Sequence, residues 1–79
     1  MHEPSQQSFS EYLCELRRQR RMDHKALRDA SEIDVARLMA LESGAGTPNR
    51  RELRQLARAF RISEETMIVK AGQRRLILD

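Results

Sequence analysis

The chain is poor in the residues that hold secreted, metal-bound and membrane proteins together. Cys14 is the only cysteine among 79 residues, so no disulfide can form within the chain and a secreted disulfide scaffold is excluded. No apolar run approaches the roughly 18 residues of a membrane-spanning helix. Residues 1–7 lack the basic and then apolar order of a signal peptide. We therefore expect one cytoplasmic domain without membrane contact.

Side chains that carry chemistry are equally scarce. The two histidines are His2 and His24, and neither is spaced with other residues as a metal ligand would be. Cys14 has no obvious base beside it, and no pair of carboxylates is spaced for acid–base work. We expect no catalytic residue, no metal and no cofactor, and hence a protein that is not an enzyme.

What the sequence does have is arginine. Lysine and arginine total 15 against 12 aspartate and glutamate, for a net charge of +3, and 13 of the 15 are arginine. They cluster within residues 17–21, 50–61 and 74–75. Guanidinium groups suit phosphate geometry, but arginine-rich helix faces also serve simply to keep a small protein soluble. Composition leaves both explanations open.

The apolar residues follow a helical period. Two segments show an i, i+3, i+4, i+7 stripe: Phe9, Tyr12, Leu13 and Leu16 in one, and Leu53, Leu56, Ala57 and Phe60 in the other. Five residues can serve as helix N-caps: Ser8, Asp23, Asp34, Asn49 and Ser63. Gly44 and Gly72 are suited to end helices. The pattern predicts five helices, the first extending to about Arg21.

These boundaries divide the chain into three parts. Residues 1–7 are expected to form a short, flexible, disordered leader, residues 8–72 an all-α domain, and residues 73–79 a C-terminal tail. Within the domain, only about three residues separate a helix that ends near Ser31, with Leu27, Ala30 and Ser31 inward, from the helix that follows Asp34. Two short helices joined in this way are typical of a helix-turn-helix. Only residues 76–78 offer material for a strand.

From about residue 9 to residue 72 the chain resembles the phage repressor and Cro type of helix-turn-helix, also called the xenobiotic-response-element type. The resemblance rests on the joint spacing of these residues: Tyr12, Leu13, Leu16, Arg17, Met22, Leu27, Ile33, Leu38, Leu41, Glu42, Gly44, Pro48, Leu53, Leu56, Ala57, Ala59, Phe60, Ile62, Ser63 and Met67. It implies a compact five-helix domain like that of lambda repressor. It also implies an ion pair between Arg17 and Glu42 that ties helix 1 to helix 3.

The resemblance further implies how such a domain would meet double-stranded DNA. Helix 3, about residues 35–43, would lie in the major groove. Its base-facing residues would be Val35, Ala36, Arg37, Met39, Ala40 and Ser43. Of these, Arg37 alone has a long donor that can reach guanine O6 and N7. Phosphate contacts would come from His24, Lys25, Thr47, Asn49, Arg50 and Arg51.

Three positions depart from the family pattern. His24 stands where the family usually has glutamine, Arg28 where it has a small alanine, and Glu32 where it has glycine. A glutamate in the left-handed conformation expected at that turn costs on the order of 1 kcal/mol. We expect Arg28 to turn outward or to widen the crossing of helices 2 and 3.

These features together predict a nucleoid-associated transcriptional regulator of prokaryotic or phage type. A homodimer is expected, because one recognition helix reads few base pairs and a repressor of this kind binds a (pseudo)palindromic operator. The candidate dimer contact is Met67, Ile68, Val69, Leu76, Ile77 and Leu78; burial in the chain's own core is the competing explanation. No small-molecule effector is expected. The alternative function is a helix-turn-helix without base readout that contacts a protein partner, as an antitoxin-like or accessory protein would.

Overall fold

Five α-helices make up the fold of residues 8–72, the part of the chain that this computed structural model describes. They are α1 (Phe9–Gln19), α2 (His24–Ser31), α3 (Val35–Ser43), α4 (Arg50–Phe60) and α5 (Glu64–Lys70). No strand occurs in this range. The predicted five-helix, all-α domain is therefore confirmed. The predicted leader (1–7) and tail (73–79), including the possible strand at 76–78, lie outside the described residues.

Capping side chains begin four of the five helices. Ser8, Asp23, Asn49 and Ser63 each accept a hydrogen bond from the backbone N–H three residues later. At the start of α3 the fifth predicted cap, Asp34, holds the N-cap position but makes no such bond. The cap positions follow the prediction, and α3 alone begins without a side-chain cap.

The C-terminal ends show where local conformation overrides the apolar period. The prediction that helix 1 continues to about Arg21 is wrong, because α1 ends at Gln19 and Arg21 has a positive φ of 55°. The N–H of Met22 then donates to the carbonyl of Arg17, which turns the chain toward α2. Gly44 ends α3 in the left-handed conformation, as predicted.

One continuous core joins all five helices. α4 packs against α2 and α5, while α3 packs against α1 and α2. The buried apolar residues are Leu13, Leu16, Leu27, Ile33, Leu38, Leu41, Leu53, Leu56, Ala57, Phe60, Met67 and Ile68. Both predicted stripes therefore face inward, although Phe9 and Tyr12 are only partly buried. Ala30, predicted to point inward beside Leu27 and Ser31, is exposed instead.

Candidate nucleic-acid interface

The turn between α2 and α3 has a left-handed residue at its start. Glu32 has φ 64° and ψ 30°, and its N–H donates to the carbonyl of Arg28. Ile33 then enters the core, and its N–H donates to the buried Ser31 hydroxyl. The glutamate therefore adopts the left-handed conformation expected at this turn, which favours glycine. Arg28 turns outward, as predicted, and pairs with Asp29 at 3.0 Å.

α3 leaves one face uncovered. Ala36, Met39 and Ser43 lie at i, i+3 and i+7 and are exposed, Met39 by 52%. Val35 and Ala40 are half-buried at the edges of this face. We call these five residues the α3 face. Its side chains are short or apolar, and the Ser43 hydroxyl donates to the carbonyl of Ala40.

Arg37, the sixth predicted base-facing residue, is engaged with α4. Its Nε lies 2.7 Å and its Nη2 3.0 Å from the two carboxylate oxygens of Glu52, and Nη2 also donates to the Thr47 carbonyl at 2.9 Å. This two-pronged ion pair lowers the pKa of the Glu52 carboxyl. Base contact through Arg37 remains a prediction, and it would require the guanidinium to leave three acceptors.

Sequence reasoning missed Glu52 as the partner of Arg37. The same carboxylate accepts the Asn49 N–H, and the Asn49 side chain accepts the Glu52 N–H, which completes a capping box. The signal available in the sequence was an Asn followed three residues later by Glu. Its pairing with Arg37 depends on how α3 packs beside the loop, which no local pattern reports.

A second cluster joins α1, α2 and the end of α3. Arg17 donates from Nε and Nη2 to the two oxygens of Glu42 at 2.7 and 3.1 Å, which confirms the predicted ion pair. Arg17 also donates to the Met22 carbonyl at 3.0 Å. His24 Nε2 lies 3.2 Å from Glu42 Oε1, so this predicted phosphate contact sits against a carboxylate and is half-buried. Burial alone would raise the pKa of Glu42, but hydrogen bonds from Arg17 and His24 outweigh it and lower that pKa.

The other predicted phosphate contacts are all exposed: Lys25, Thr47, Asn49, Arg50 and Arg51. The Asn49 side-chain oxygen is occupied as the cap of α4. Arg50 lies 3.8 Å from Glu64, a loose ion pair between exposed side chains that contributes little. These cationic and polar groups therefore remain accessible to an anion.

Two interhelical contacts arrange these groups around the α3 face. The bonds of Arg37 to Thr47 and Glu52 hold the loop and the start of α4 along α3. The contact of His24 with Glu42 holds the start of α2 near the C-terminal end of α3. Exposed cations thus lie on α2, which packs against α3, and at the start of α4, which the Arg37 bonds join to α3.

The predicted dimer contact is corrected in part. Met67 is fully buried and Ile68 is 4% exposed, so both belong to the chain's own core and cannot form a surface contact. Val69 is 43% exposed and remains available. Leu76, Ile77 and Leu78 lie outside the described residues.

Chemistry-bearing groups are sparse in the described part of the chain. Across residues 8–72 no three His, Cys, Asp or Glu side chains are placed to share a metal ion. Cys14 is half-buried, with its Sγ 3.9 Å from Arg17 Nη2. None of the five helices is long and apolar enough to cross a membrane.

Comparison with known proteins leaves the family resemblance as a prediction. Neither family models, nor curated proteins, nor solved structures gave a match. The function proposed for this chain is therefore argued from its own geometry.

Proposed function

We propose that this chain is a helix-turn-helix transcriptional regulator that binds double-stranded DNA with α3 in the major groove. The observation that carries the proposal is the uncovered α3 face, with exposed cations on the two segments that side-chain bonds join to α3. The major groove of B-form DNA admits an α-helix. Phosphate contacts from neighbouring segments would hold that helix at a fixed position along the duplex. As a homodimer the chain would read two half-sites of a (pseudo)palindromic operator, and repression is the simplest outcome.

Base reading by this face would be mainly apolar. Ala36, Met39 and Ala40 can contact thymine methyl groups, and the Ser43 hydroxyl can meet either kind of base edge. Lys25, Thr47, Asn49, Arg50 and Arg51 would supply most of the affinity through the backbone. Because Asp34 and Glu32 are exposed beside α3, they oppose indiscriminate binding to the phosphates.

The first test is selection of bound duplexes from a random library at about 150 mM salt, where weak phosphate attraction is screened. We expect a two-fold symmetric motif rich in A·T pairs, with half-sites about one helical turn apart. Arg50→Gln and Arg51→Gln should each weaken binding to all sequences alike and reduce the salt slope by about 1. Arg18→Gln, an exposed arginine on α1, is the matched control.

Arg37 needs its own pair of variants. If Arg37 leaves Glu52 to contact a base, Arg37→Ala should relax the preference at one base position, and Glu52→Gln should not. If Arg37 only holds the loop in place, both variants should weaken binding to every sequence alike. The base preferences of the two variants in the same selection distinguish these roles.

The second candidate function is binding of a protein partner through the α3 face. It is favoured by the pairing of Arg37 with Glu52, since no long donor is then left free on that face. Exposed Met39 among small side chains would suit a protein contact. Failure to enrich any duplex motif would support this function over DNA reading.

A further inference from the structure

A groove of about 330 Å³ lies between the end of α2 and the outward side of α4. Its α4 wall consists of Arg51, Arg54, Gln55 and Arg58, and its α2 wall of Ala30, Ser31 and Glu32. The α4 residues are spaced i, i+3, i+4 and i+7, so all four share one side of the helix. The volume lies within the range of about 300–1,000 Å³ that is usual for small-molecule sites.

The arginines of this groove are poorly neutralised. Neither Arg51 nor Arg58 forms an ion pair within residues 8–72, and Arg54 reaches Glu64 only at 3.7 Å. Glu32 is the one carboxylate among the residues that line the groove. Three guanidinium groups therefore line one wall of the groove, opposed by Glu32 in the groove and by the loosely paired Glu64 beside it. Like charges so placed repel, and a bound anion would relieve this repulsion.

We propose that this groove binds a small, multiply charged, phosphate-bearing ligand. Guanidinium groups match phosphate oxygens in two-pronged geometry, and three of them carry more charge than the two nearby carboxylates, Glu32 and Glu64, can balance. The side-chain amide of Gln55 adds a neutral donor on the same wall. A confined groove between two helices suits a small molecule better than a continuous duplex backbone. Such a ligand goes against the expectation, drawn from the sequence, that the chain has no small-molecule effector.

The proposal does not require DNA binding, because Arg54 and Arg58 are not among the predicted DNA contacts. Arg51 is the one residue that both sites would use. A ligand in the groove would therefore compete for one predicted phosphate contact and leave the α3 face uncovered.

The test is a titration of the ¹⁵N-labelled full chain with pyrophosphate at constant ionic strength, followed by amide chemical shifts. We expect the shifts to concentrate at residues 30–32 and 51–58. Arg58→Gln should weaken binding about tenfold or more, because a charge-assisted hydrogen bond is lost. Arg18→Gln should have little effect. The two variants are matched, since each removes an exposed arginine from the last turn of a helix.

Four results would overturn the proposal. Equal weakening in the two variants, or shifts spread over α1, would show general attraction of anions to a basic protein. A third result concerns DNA. If Arg58→Gln weakens binding of a DNA duplex as much as it weakens binding of pyrophosphate, and Arg18→Gln does not, then the groove holds DNA backbone instead. Arg58→Lys keeps the positive charge but removes the planar guanidinium group that can donate two parallel hydrogen bonds. Unchanged affinity for pyrophosphate in that variant would exclude the two-pronged recognition of phosphate on which the proposal rests.

Discussion

At the scale of single residues, Glu42 joins three helices through one carboxylate. Its two oxygens meet Arg17 from α1 and His24 from α2, while its own backbone belongs to α3. The side chain is 9% exposed, so its charge is largely shielded from water. Loss of that charge would leave Arg17 half-buried without its main acceptor, which is costly.

Glu42→Gln should lower the free energy of unfolding at pH 7 by about 1.5–3 kcal/mol, the range for hydrogen bonds to charged groups. The folded-state pKa of Glu42 is lowered, so its stabilising contribution is complete above the unfolded pKa of about 4.3. That contribution is lost as the pH falls through the folded pKa. Urea denaturation between pH 3 and pH 7 should therefore show a weaker acid dependence in the variant.

Glu65→Gln is the control for that experiment, because Glu65 is exposed and no ion pair to it occurs in the described part of the chain. This variant should change the free energy of unfolding at pH 7 little, because exposed charges contribute little to stability. Glu52 also has a lowered pKa, so Glu42→Gln should leave part of the acid dependence in place. An unchanged profile in Glu42→Gln would mean that Glu42 does not titrate as its surroundings require.

Two ion pairs show which contacts the spacing of residues can predict and which it cannot. The partnership of Arg17 with Glu42 was predicted from the family resemblance, which assigns both positions at once. The partnership of Arg37 with Glu52 was not, because this pair is created by the path of the loop around Gly46. A Cβ at Gly46 would lie 2.7 Å from Arg37 Nη1, so the absence of a side chain there leaves room for the guanidinium.

At the scale of secondary-structure elements, the α2–α3 turn stores a small amount of strain. Glu32 occupies the left-handed region, which L-residues other than glycine and asparagine enter at a cost. The strain is tolerated because Ile33 is buried immediately afterwards and fixes the direction of the chain. Glutamate at this position therefore costs stability, while its backbone still adopts the left-handed conformation.

Glu32→Gly should raise the free energy of unfolding by about 1 kcal/mol, because glycine enters this conformation without a steric penalty. Ala30→Gly, placed two residues earlier in the exposed last turn of α2, should instead lower it by about 0.5–1 kcal/mol. Thermal unfolding of both variants measures the difference. Destabilisation by both changes would mean that the Glu32 side chain contributes an interaction that outweighs its backbone strain.

At the scale of the whole molecule, the buried side of α5 belongs to the chain's own core. Met67 and Ile68 pack with Phe60 and the leucines of the other helices. Because these two side chains are buried in the core, a dimer contact on α5 would have to use its exposed residues, among which Val69 is apolar. This correction could not be made from periodicity, since an apolar stripe looks the same whether it faces its own chain or another.

Met67→Ala should lower the free energy of unfolding by about 2–5 kcal/mol, as expected for truncation of a buried side chain. Val69→Ala should change the unfolding of the monomer little, because this side chain is 43% exposed. If Val69 contributes to a dimer, its variant should self-associate more weakly in sedimentation equilibrium. Equal losses of stability in the two variants would contradict the burial of Met67 and the exposure of Val69.

The sequence by itself determined the elements of this fold: their number, the cap residues and the apolar stripes. These features depend on neighbours within one or two helical turns, so local spacing reports them. Tertiary structure decided which polar groups are still free to act. It placed Arg37 on Glu52 and His24 on Glu42, enclosed Met67 and Ile68, and aligned the α4 arginines with the end of α2. Each depends on contacts between residues far apart in the chain, which only the packing of whole helices brings together.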